Sequence, residues 1–576
     1  MKYRHGLPAI NKPLPHKSPC QGDLGGRPGI ATRIIEAFID EGVQTRDGLF
    51  AVARRLSRGQ SRLPNIADLR AAYLKRVDEK PDTANPILDR MLRRRDVRSL
   101  SGVAIVTVLT KPWPCPGQCA YCPNEVKMPK SYLSNEPAAM RALSLKFDPW
   151  LQVTRRLEAL TMNGHPNDKI ELIVKGGTWS SYRTGYQDWF IRRCFDAAND
   201  FGRKRRQAAR TLKQSQGANE TAGHRIIGLT LETRPDCVTP KEIRRLRHLG
   251  CTRVEMGVQS LDDDILKSCR RGHGQSETAR ATKLLKESGF KVDYHLMPQL
   301  PGASPASDLD SMHQVFSDPR FRPDMVKIYP CVVIKNTALY DWWESGEYRP
   351  YPTGRLVDVL IRFKSEIPRY CRISRLARDI PSTSIIAGNA VTNLRQVIGE
   401  EMKRRKMTCR CLRCREIGHV SKDNPRLADL KPKLFVDRYE SSGGQELFLS
   451  FEDSKRRAVF AFCRLRLPNN NPDQDVGEIR KLLPEIKNAA FVRELHTYGN
   501  LVSIGTKNRQ ASQHKGLGAK LMAEAERQAK RAGFRKLAVI SGIGVRDYYR
   551  KLGYRLNGTY MTKSLQHPVP AKNETQ

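Results

Sequence analysis

The sequence predicts an α/β protein in which a partial barrel of parallel strands precedes a smaller α+β domain. Three observations support this fold class. From residue 103 to residue 329, short β-rich runs alternate with amphipathic helical stretches, which is typical of βα units around a parallel sheet. After residue 425, three strand-like runs follow one another before any helix, which indicates an antiparallel sheet. The first 95 residues are basic and carry helical patterns only.

The elements follow in chain order. Helices are predicted at 34–39 and 69–77 in the N-terminal region, and later at 240–250, 277–289 and 517–533. Barrel strands are predicted at 103–109, 170–174, 226–231, 253–258, 291–297 and 325–329. Strands of the second domain are predicted at 434–439, 446–451, 458–467, 493–499 and 536–540. We therefore expect a basic region at 1–95, the barrel at 96–400, a linker at 401–425 and the second domain at 426–576.

The charge of the chain indicates a polyanionic partner. Its 101 Lys and Arg against 60 Asp and Glu give a formal net charge of +41, far more than solubility requires. Nucleic acid is the natural candidate, and an anionic membrane surface is the rival. No apolar stretch approaches the 18 or so residues of a spanning helix, and the N-terminus has no apolar signal core. We expect a soluble, cytoplasmic protein.

The first of two cysteine clusters predicts an iron–sulfur site. Among 14 cysteines, Cys115, Cys119 and Cys122 form C-x3-C-x2-C directly after the first barrel strand. Three thiolates hold three irons of a [4Fe–4S] cluster and leave the fourth iron open for a bidentate ligand such as S-adenosylmethionine (SAM). Zinc with a further ligand from elsewhere is the alternative.

Here the sequence resembles the radical SAM superfamily, which implies a radical SAM (partial TIM-like) barrel. Gly176-Gly177-Thr178 follows the second strand, where the family's glycine-rich turn receives the SAM amino group. Glu232 and Gln259 lie at strand ends, where barrel enzymes place functional side chains. A surface carboxylate and a capping amide are the alternatives for these two residues.

A second cofactor signature lies near the C-terminus. The pattern Q-x-x-G-x-G before a helix is a pyrophosphate cradle, because backbone N–H groups and the helix N-terminus face an anion. Its candidate residues are Gln513, Lys515, Gly516, Leu517 and Gly518. A strand precedes the cradle and a strand and GVRDYYRKLGY follow, which resembles the GNAT acetyltransferases. The resemblance implies acetyl-CoA as cosubstrate, with the pantetheine on Glu494, Leu495, His496 and Thr497. It also implies catalytic candidates near the thioester at His496, Tyr548 and Tyr549.

The second cysteine cluster lies between the two domains. Cys409, Cys411 and Cys414 form C-x-C-x2-C, a spacing that suits a structural Zn²⁺ with a fourth ligand from elsewhere. Candidates for that ligand are His419, Cys331 and Cys371. A second iron–sulfur cluster or no metal are the alternatives.

The pairing of the two domains, with SNEPAAMRAL, LETRPDC and FRPDMVKIYP, resembles the catalytic subunit of Elongator and its single-chain bacterial and archaeal relatives. That family implies carboxymethylation of C5 of the wobble uridine in the anticodon stem-loop of tRNA. A reductant and SAM supply a 5′-deoxyadenosyl radical, which takes hydrogen from the methyl of acetyl-CoA. The carbon radical adds to uracil, and thioester hydrolysis leaves the carboxymethyl group. Lys169 corresponds to a family position that touches acetyl-CoA; a solvated lysine at a strand start is the alternative.

Two other functions remain open at this point. The chain could acetylate protein lysines of histone type, with a structural SAM domain, or it could be a tRNA-binding scaffold without activity. A chain of charge +41 repels cationic tails and attracts RNA, which favours the tRNA reaction. The complete cysteine motif and the complete glycine pattern argue against a scaffold.

Overall fold

A computed structural model describes residues 29–60, 63–92, 102–203, 210–424, 426–427, 430–469, 471–498 and 516–565. The chain forms two compact units, one of Met1–Arg95 with Met162–Gly164, the other of Asp96–Thr161 with His165–Gln576. No helix in the described ranges combines the length and the apolar character needed to cross a membrane. The domain boundaries at 400 and 425 remain predictions.

The first unit is helical, as its sequence pattern predicts. Its helices are α1 (Ile30–Asp40), α2 (Arg46–Leu56), α3 (Ile66–Glu79) and α4 (Pro86–Met91). Asn65 and Asp68 cap α3 reciprocally, each side chain accepting a hydrogen bond from the other residue's backbone N–H. Ile34, Phe38 and Tyr73 are buried together, so α1 and α3 share an apolar core.

The second unit begins with a sheet of parallel strands. Its strands are β1 (Ala104–Leu109), β2 (Lys169–Lys175), β3 (Arg225–Thr233), β4 (Arg253–Gln259), β5 (Lys291–Leu296), β6 (Met325–Ile328) and β8 (Arg372–Leu376), while β7 (Val332–Val333) and β9 (Ala387–Gly388) form a small separate pair. The order is β1-β2-β3-β4-β5-β6-β8 with every neighbouring pair parallel, and β1 does not pair with β8. The predicted partial barrel is therefore confirmed. The seventh strand, β8, was missed because RISRL offers only two apolar residues.

Helices surround the sheets of this unit. They are α5 (Pro137–Ser144), α6 (Pro149–Met162), α7 (Thr184–Asp200), α8 (Leu212–Asn219), α9 (Pro240–His248), α10 (Asp263–Ser268), α11 (Gln275–Glu287), α12 (Pro305–Ser317), α13 (Ala338–Glu344), α14 (Thr353–Glu366), α15 (Leu394–Arg404), α16 (Leu412–Arg415), α17 (Ile417–Asp423), α18 (Gln474–Leu482), α19 (Leu517–Arg531) and α20 (Arg546–Arg550). The predicted helices at 240–250, 277–289 and 517–533 correspond to α9, α11 and α19. Most of the barrel helices follow a strand and cover it, as βα units require.

The second sheet is mixed. Its strands are β10 (Lys433–Ser441), β11 (Gly444–Glu452), β12 (Val459–Leu467), β13 (Ala490–Thr497), β14 (Lys536–Val539), β15 (Arg555–Asn557) and β16 (Tyr560–Ser564), in the order β10-β11-β12-β13-β14-β16-β15. Only β13 and β14 are parallel, and they pair solely at residues 490–492 and 537–539. Beyond those residues no pairing between β13 and β14 is found in the described structure, so the two strands separate at residues 494–497.

A network of buried charges joins the two sheets. Arg464, Arg466 and Arg493 of the second sheet are each at most 1% exposed. Arg493 donates two hydrogen bonds of 2.6 Å to Asp324, which immediately precedes β6, and Arg466 donates one of 2.6 Å to Glu287 at the end of α11. We call these three arginines and their carboxylates the arginine brace. It fixes the second sheet against the barrel.

Candidate active site

One cavity of about 810 Å³ connects the interior of the barrel with the second sheet. In the barrel its lining follows every second residue of the strands, for example Glu171, Ile173 and Lys175 on β2, because alternate side chains point inward. The predicted site residues that line it are Cys115, Cys119, Cys122, Gly177, Thr178, Glu232, Gln259, Glu494, Leu495, His496, Thr497, Gly516, Gly518, Tyr548 and Tyr549. The structure thus brings residues of both predicted cofactor sites to one continuous cavity.

The first cysteine motif suits a cluster better than a single ion. Within the described residues, two groups of side chains place their ligand atoms within 4.8 Å of one another, and Cys115, Cys119 and Cys122 are not among them. Cysteine sulfurs that bind three different irons of a cube lie farther apart than sulfurs that share one ion, so the wider spacing fits [4Fe–4S]. Burial raises the pKa of Cys119, but Arg271 outweighs it and lowers the pKa, with Nη1 donating to Sγ at 3.2 Å. The surroundings therefore favour the thiolate at Cys119, whereas burial raises the pKa of Cys122 to about 12.

The glycine turn after β2 lies beside this motif. Cys115 Sγ and Thr178 Oγ1 are 3.4 Å apart. Gly176 and Gly177 have φ of +140° and +86°, and a Cβ at Gly176 would collide with Thr110. Only glycine fits this backbone, and the turn can approach a ligand on the open side of the cluster. These residues fit SAM.

Two strand ends face the same space. Gln259, at the end of β4, has a left-handed φ of +74°, which is strained for a residue with a side chain. Its buried Oε1 lacks a hydrogen-bond partner in the described structure. Glu232 accepts a hydrogen bond of 3.0 Å from Tyr132 Oη. An orphaned amide and an oriented carboxylate at the cavity wall are groups that a polar cofactor would satisfy.

A charged network extends along the barrel wall. Lys175 contacts Glu255 and lies 3.4 Å from Glu232, and His295 bridges the same two carboxylates at 3.2 and 3.4 Å. Burial alone would raise the pKa of Glu232, but Lys175 and His295 lower it. Glu232, Glu255 and His295 are the second group compact enough for one metal ion. Because Lys175, with Lys327 at 2.5 Å from Glu255, already supplies the positive charge, we interpret the group as an ion-pair network.

Asp293 stands out within that wall. Its side chain is fully buried on β5, lines the cavity, and has no hydrogen-bond partner on either oxygen in the described structure. Burial raises its pKa to about 7, against the opposing effect of Lys327. Its strand neighbours in the wall are Lys291, which reaches Glu494 at 3.4 Å, and His295. The carboxyl group therefore lies between the two predicted cofactor sites.

The residues predicted to bind acetyl-CoA lie where β13 and β14 separate. Gly516 precedes α19 with φ +69°, and among the described residues no atom beyond its chain neighbours and its own helix backbone lies within 4 Å of the place where its Cβ would stand. Two residues on, a Cβ at Gly518 would lie 2.7 Å from Tyr548 Oη and 3.6 Å from Thr497 Oγ1. The helix N-terminus, the end of β13 beyond its pairing with β14, and Tyr548 thus surround one entrance, as a pyrophosphate and a pantetheine arm require.

The other predicted residues of this end differ in exposure. Tyr548 is 38% exposed, whereas its neighbour Tyr549 is 6% exposed and packs edge-on against it, with ring centroids 5.3 Å apart. Burial raises the pKa of both phenols, that of Tyr548 to about 12, so each remains an O–H donor. His496 stacks on Phe462 at 5.8 Å, and burial lowers its pKa. Tyr548 is the better placed of the two tyrosines to meet a substrate.

Several predicted residues stand apart. Gln513 and Lys515 lie outside the described residues. Leu517 is buried and packs in the core as the first residue of α19. Lys169 begins β2 and is absent from the cavity lining, which Lys175 joins at the other end of the strand. Its role remains a prediction.

The second cysteine motif has the geometry of a single-ion site. The sulfurs of Cys409, Cys411 and Cys414 lie within 4.8 Å of one another. Of the proposed fourth ligands, the backbone carbonyl of Cys371 accepts from Leu412 N at 2.9 Å, and His419 lies 3.9 Å from Glu416. Cys331 belongs to a separate apolar cluster. Among the described residues, none of these three joins the compact set.

Sequence reasoning missed most of the barrel wall. Asp293, Glu255, His295 and Lys327 did not appear among the candidates, and neither did Arg271. A signal was present, because KVDYH places charges at every second position of a strand that a barrel should bury. Alternating charges in such a strand indicate a polar interior.

Comparison with known proteins agrees with this geometry. The Radical SAM superfamily matches residues 115–314, and the Radical SAM C-terminal domain matches 323–404. The chain is 46% identical over 488 residues to tRNA uridine(34) acetyltransferase of Methanocaldococcus infernus, covering 83% of this chain and 89% of that protein. It is 37% identical over 516 residues to Elongator complex protein 3 of Drosophila melanogaster, covering 87% and 89%. The solved structure of M. infernus Elp3 with an N-terminal deletion matches with a TM-score of 0.68 and 42% identity, over 81% of this chain and 100% of that one.

Proposed function

The chain belongs to the radical SAM family of tRNA uridine(34) acetyltransferases and Elongator complex protein 3, and from this premise we propose that it carboxymethylates C5 of the wobble uridine of tRNA. Its relatives are named for a tRNA uridine at position 34 and for acetyl transfer. The carboxymethyl product goes beyond those names, because it requires carbon–carbon bond formation as well as an acetyl donor. Both cofactors must then act on one substrate.

The single cavity carries this proposal. Cys119 and Gly177 line it at one end, and Thr497, Gly518 and Tyr548 line it at the other. A protein lysine acetyltransferase needs no passage from its thioester site to a barrel. A reaction that joins the acetyl methyl to a base needs both reactants within one space from which water is excluded.

When bound, the [4Fe–4S] cluster and SAM would supply the radical that abstracts hydrogen from an unactivated C–H bond. Cys115, Cys119 and Cys122 would hold the cluster, and Gly176, Gly177 and Thr178 would receive SAM. The protein residues around them position the reactants. Arg271 lowers the pKa of Cys119, and the ion-paired Glu232 keeps its negative charge in a buried wall.

At the other end, the chain's residues bind and orient the thioester. Gly516 and the N-terminus of α19 would face the pyrophosphate of CoA, and residues 494–497 would bond the pantetheine amides as an added strand does. Tyr548, an O–H donor at the entrance, would hydrogen-bond the thioester carbonyl. Burial alone would raise the pKa of Glu494, but Lys291 and Arg464 lower it to about 2, so its charge is fixed at neutral pH.

The charge of the molecule suits the RNA. A net charge of +41 attracts phosphate groups, and each contact releases counterions from the nucleic acid. A uridine in the anticodon loop is unpaired and can leave its stack to enter a pocket, here the cavity. We propose in addition that Cys409, Cys411 and Cys414 hold a structural Zn²⁺, which their compact sulfurs favour.

The reaction is tested by mass spectrometry of tRNA nucleosides. The purified protein is incubated anaerobically with tRNA, SAM, acetyl-CoA and a reductant, and then in parallel without SAM. We expect 5-carboxymethyluridine only in the complete mixture. Lysine acetylation that proceeds without SAM, with unmodified tRNA in both mixtures, would contradict the proposal in favour of a protein acetyltransferase.

Replacement of one cluster cysteine separates chemistry from RNA binding. Cys119→Ala should lose iron and abolish the modified nucleoside, because the cube loses one of three ligands. Affinity for tRNA should stay within about twofold, since phosphate contacts carry it. Cys194→Ala, which removes a buried thiol of α7 outside the motif, is the matched control and should retain iron. Parallel loss of iron and of tRNA binding in Cys119→Ala would assign the cluster a structural role.

A further inference from the structure

A second groove lies at the surface beside the loop of the first cysteine motif. Pro116 and Gln118, the exposed residues between Cys115 and Cys119, form one side of it. Lys267, Arg270 and the segment up to Gly274 form the other side. We call this the loop groove. The proposed function does not use it, because SAM and the uridine would occupy the cavity that the three cysteines line.

Two buried arginines lie between the loop groove and the cavity. Arg234 and Arg271, 5% and 6% exposed, line both spaces. Arg271 donates to Cys119 Sγ at 3.2 Å, and the Nη1 of Arg234 lies against Gly117 without a hydrogen-bond acceptor in the described structure. The cysteine loop is therefore separated from solvent here by little more than its own backbone and two guanidinium groups. An electron that enters from the loop groove has a short path to the cluster ligands.

The rim of the groove is positively charged and partly aromatic. Lys267 and Arg270 are exposed, and neither forms an ion pair with a described residue. Two acids also line the groove: Asp236 is paired with Arg234 at 2.9 Å, and Asp263 accepts from Gln275 N at 2.7 Å. With Arg234 and Arg271, the four lining cations outnumber these two acids. Arg270 stacks on Trp342, with its guanidinium carbon 5.2 Å from the ring centroid. Trp342 lies on α13, which is tied to the cysteine loop because Leu339 N donates to Ala120 O at 3.0 Å. The rim thus offers free cations and an apolar contact on a rigid support.

We propose that the loop groove is the docking surface for a small acidic protein that delivers single electrons to the cluster, a partner that the proposed function requires. Docking there transfers one electron from the reduced carrier to the oxidised [4Fe–4S]²⁺ cluster, which becomes [4Fe–4S]⁺ while the carrier is oxidised by one electron. Complementary charge brings an acidic carrier to Lys267 and Arg270 and speeds its association. Arg234 and Arg271 line both the groove and the cavity beside the cluster cysteines, a proximity that an electron donor requires and an RNA contact does not, so the carrier is the better occupant.

The test compares two reductants on the cluster-loaded protein. Flavodoxin in its hydroquinone form is the acidic probe, and dithionite is the small one. The rate of cluster bleaching is followed by stopped-flow absorbance without SAM or tRNA, so the readout is independent of catalysis. Lys267→Glu with Arg270→Glu should slow reduction by flavodoxin at least about tenfold at low salt and leave reduction by dithionite unchanged.

Two comparisons make the outcome decisive. Lys481→Glu with Lys551→Glu changes the net charge equally at exposed sites elsewhere in the same unit and should leave flavodoxin reduction within about twofold. Lys267→Gln with Arg270→Gln should give an intermediate rate. Equal slowing by both Glu pairs would overturn the proposal, since net charge alone would then explain it. Unchanged flavodoxin reduction with weakened tRNA binding in Lys267→Glu, Arg270→Glu would assign the groove to RNA.

The test is independent of the proposed reaction. If no 5-carboxymethyluridine forms with the wild-type protein, but flavodoxin still reduces the cluster through Lys267 and Arg270, the docking surface stands and the reaction is wrong. If the modified uridine forms but the charge reversals have no effect on flavodoxin, the reaction stands and the docking surface is wrong.

Discussion

At the scale of single residues, the barrel wall places Asp293 where a charge is costly. Its carboxyl group is fully buried with no hydrogen-bond partner in the described structure, and burial raises its pKa to about 7. The groups that face it are Arg253 and Glu255 from β4, Lys175 from β2 and Lys327 from β6. An unfolded aspartate has a pKa of about 3.9, so the folded state binds a proton more tightly than the unfolded chain does.

This difference predicts a pH-dependent effect of Asp293→Asn. Below about pH 4 the aspartate is neutral in both states, so the substitution changes little. As the pH rises towards about 7, the wild type loses stability because the unfolded chain ionises first, and the asparagine variant avoids that loss. We expect the variant to raise the thermal midpoint at pH 8 more than at pH 5. The exposed Asp310→Asn is the control, and an equal gain at both pH values would contradict the raised pKa.

The sequence alone was enough to identify residues that belong to a motif. It did not identify the charged residues of the barrel wall that surround those motifs. Cys119, Gly177 and Gly516 stand in recognisable patterns of spacing. Glu255 and His295 do not, because their significance arises only when parallel strands bring β4 and β5 side by side. The charges were visible in the sequence, but their pairing depends on strand order, which no local pattern contains.

At the scale of elements, the start of α19 is the part of the acetyl-CoA site that a substitution tests most directly. Gly516 and Gly533 lie at opposite ends of this helix, both with left-handed φ, +69° and +83°, and both with open space around the added Cβ. Any L-residue at either position carries a backbone strain of about 1–2 kcal/mol. Only Gly516 faces the cavity.

The two glycines therefore form a matched pair. Gly516→Glu should weaken acetyl-CoA binding at least about tenfold, about 1.4 kcal/mol, because its carboxylate repels the pyrophosphate at the helix N-terminus. Gly533→Glu should lower the stability of the fold through backbone strain and leave the affinity for acetyl-CoA unchanged. Isothermal titration with acetyl-CoA measures both. Equal affinity in the two variants would show that the pyrophosphate does not bind at Gly516.

The arginine brace gives a second prediction at this scale. Burial alone would raise the pKa of Asp324, but Arg493 and Arg464 hold it far below its usual value. Asp324→Asn removes one of the two carboxylates that face each of Arg493 and Arg464, which are buried, and we expect a loss of about 3–5 kcal/mol in urea unfolding. Because the folded state lowers the pKa of Asp324, its ionised form stabilises the protein fully above about pH 4. That stabilisation is lost as the pH falls further and Asp324 takes up a proton.

A neighbouring ion pair serves as the control. Asp475 of α18 pairs with Arg280 of α11 at 2.7 Å, with both side chains about a third or more exposed. Asp475→Asn removes a surface contact and should cost at most about 1 kcal/mol. Similar losses in the two variants would mean that burial adds nothing to the Asp324 pair.

Element prediction succeeded where periodicity is strong. The six barrel strands and α19 follow apolar patterns that fix their type. The prediction missed β8 because Arg372 and Arg375 interrupt its apolar run. This segment forms a strand because β6 supplies its hydrogen-bonding partner. The separation of β13 from β14, on which the acetyl-CoA site depends, is a property of the sheet and has no sequence pattern of its own.

At the scale of the whole molecule, the charge of +41 predicts how RNA binding responds to salt. The logarithm of tRNA affinity should fall linearly with the logarithm of salt concentration, and roughly 6–10 phosphate contacts would cost about 10³–10⁵ in affinity between 50 and 200 mM. Filter binding across that range measures the slope. An affinity that salt leaves unchanged would exclude phosphate contacts as its source.

The arginine brace also limits how this enzyme can be divided or recombined. A fragment that stops before the second sheet would lose the arginines that bind Asp324 and Glu287, and the complementary fragment would lose those two acids while keeping Glu446 and Glu494 beside its arginines. Each half would then expose to water a charged face that the intact chain buries. A gene fusion that exchanged one half for a homologous domain would have to carry the matching acids or bases with it, so the two activities are inherited together.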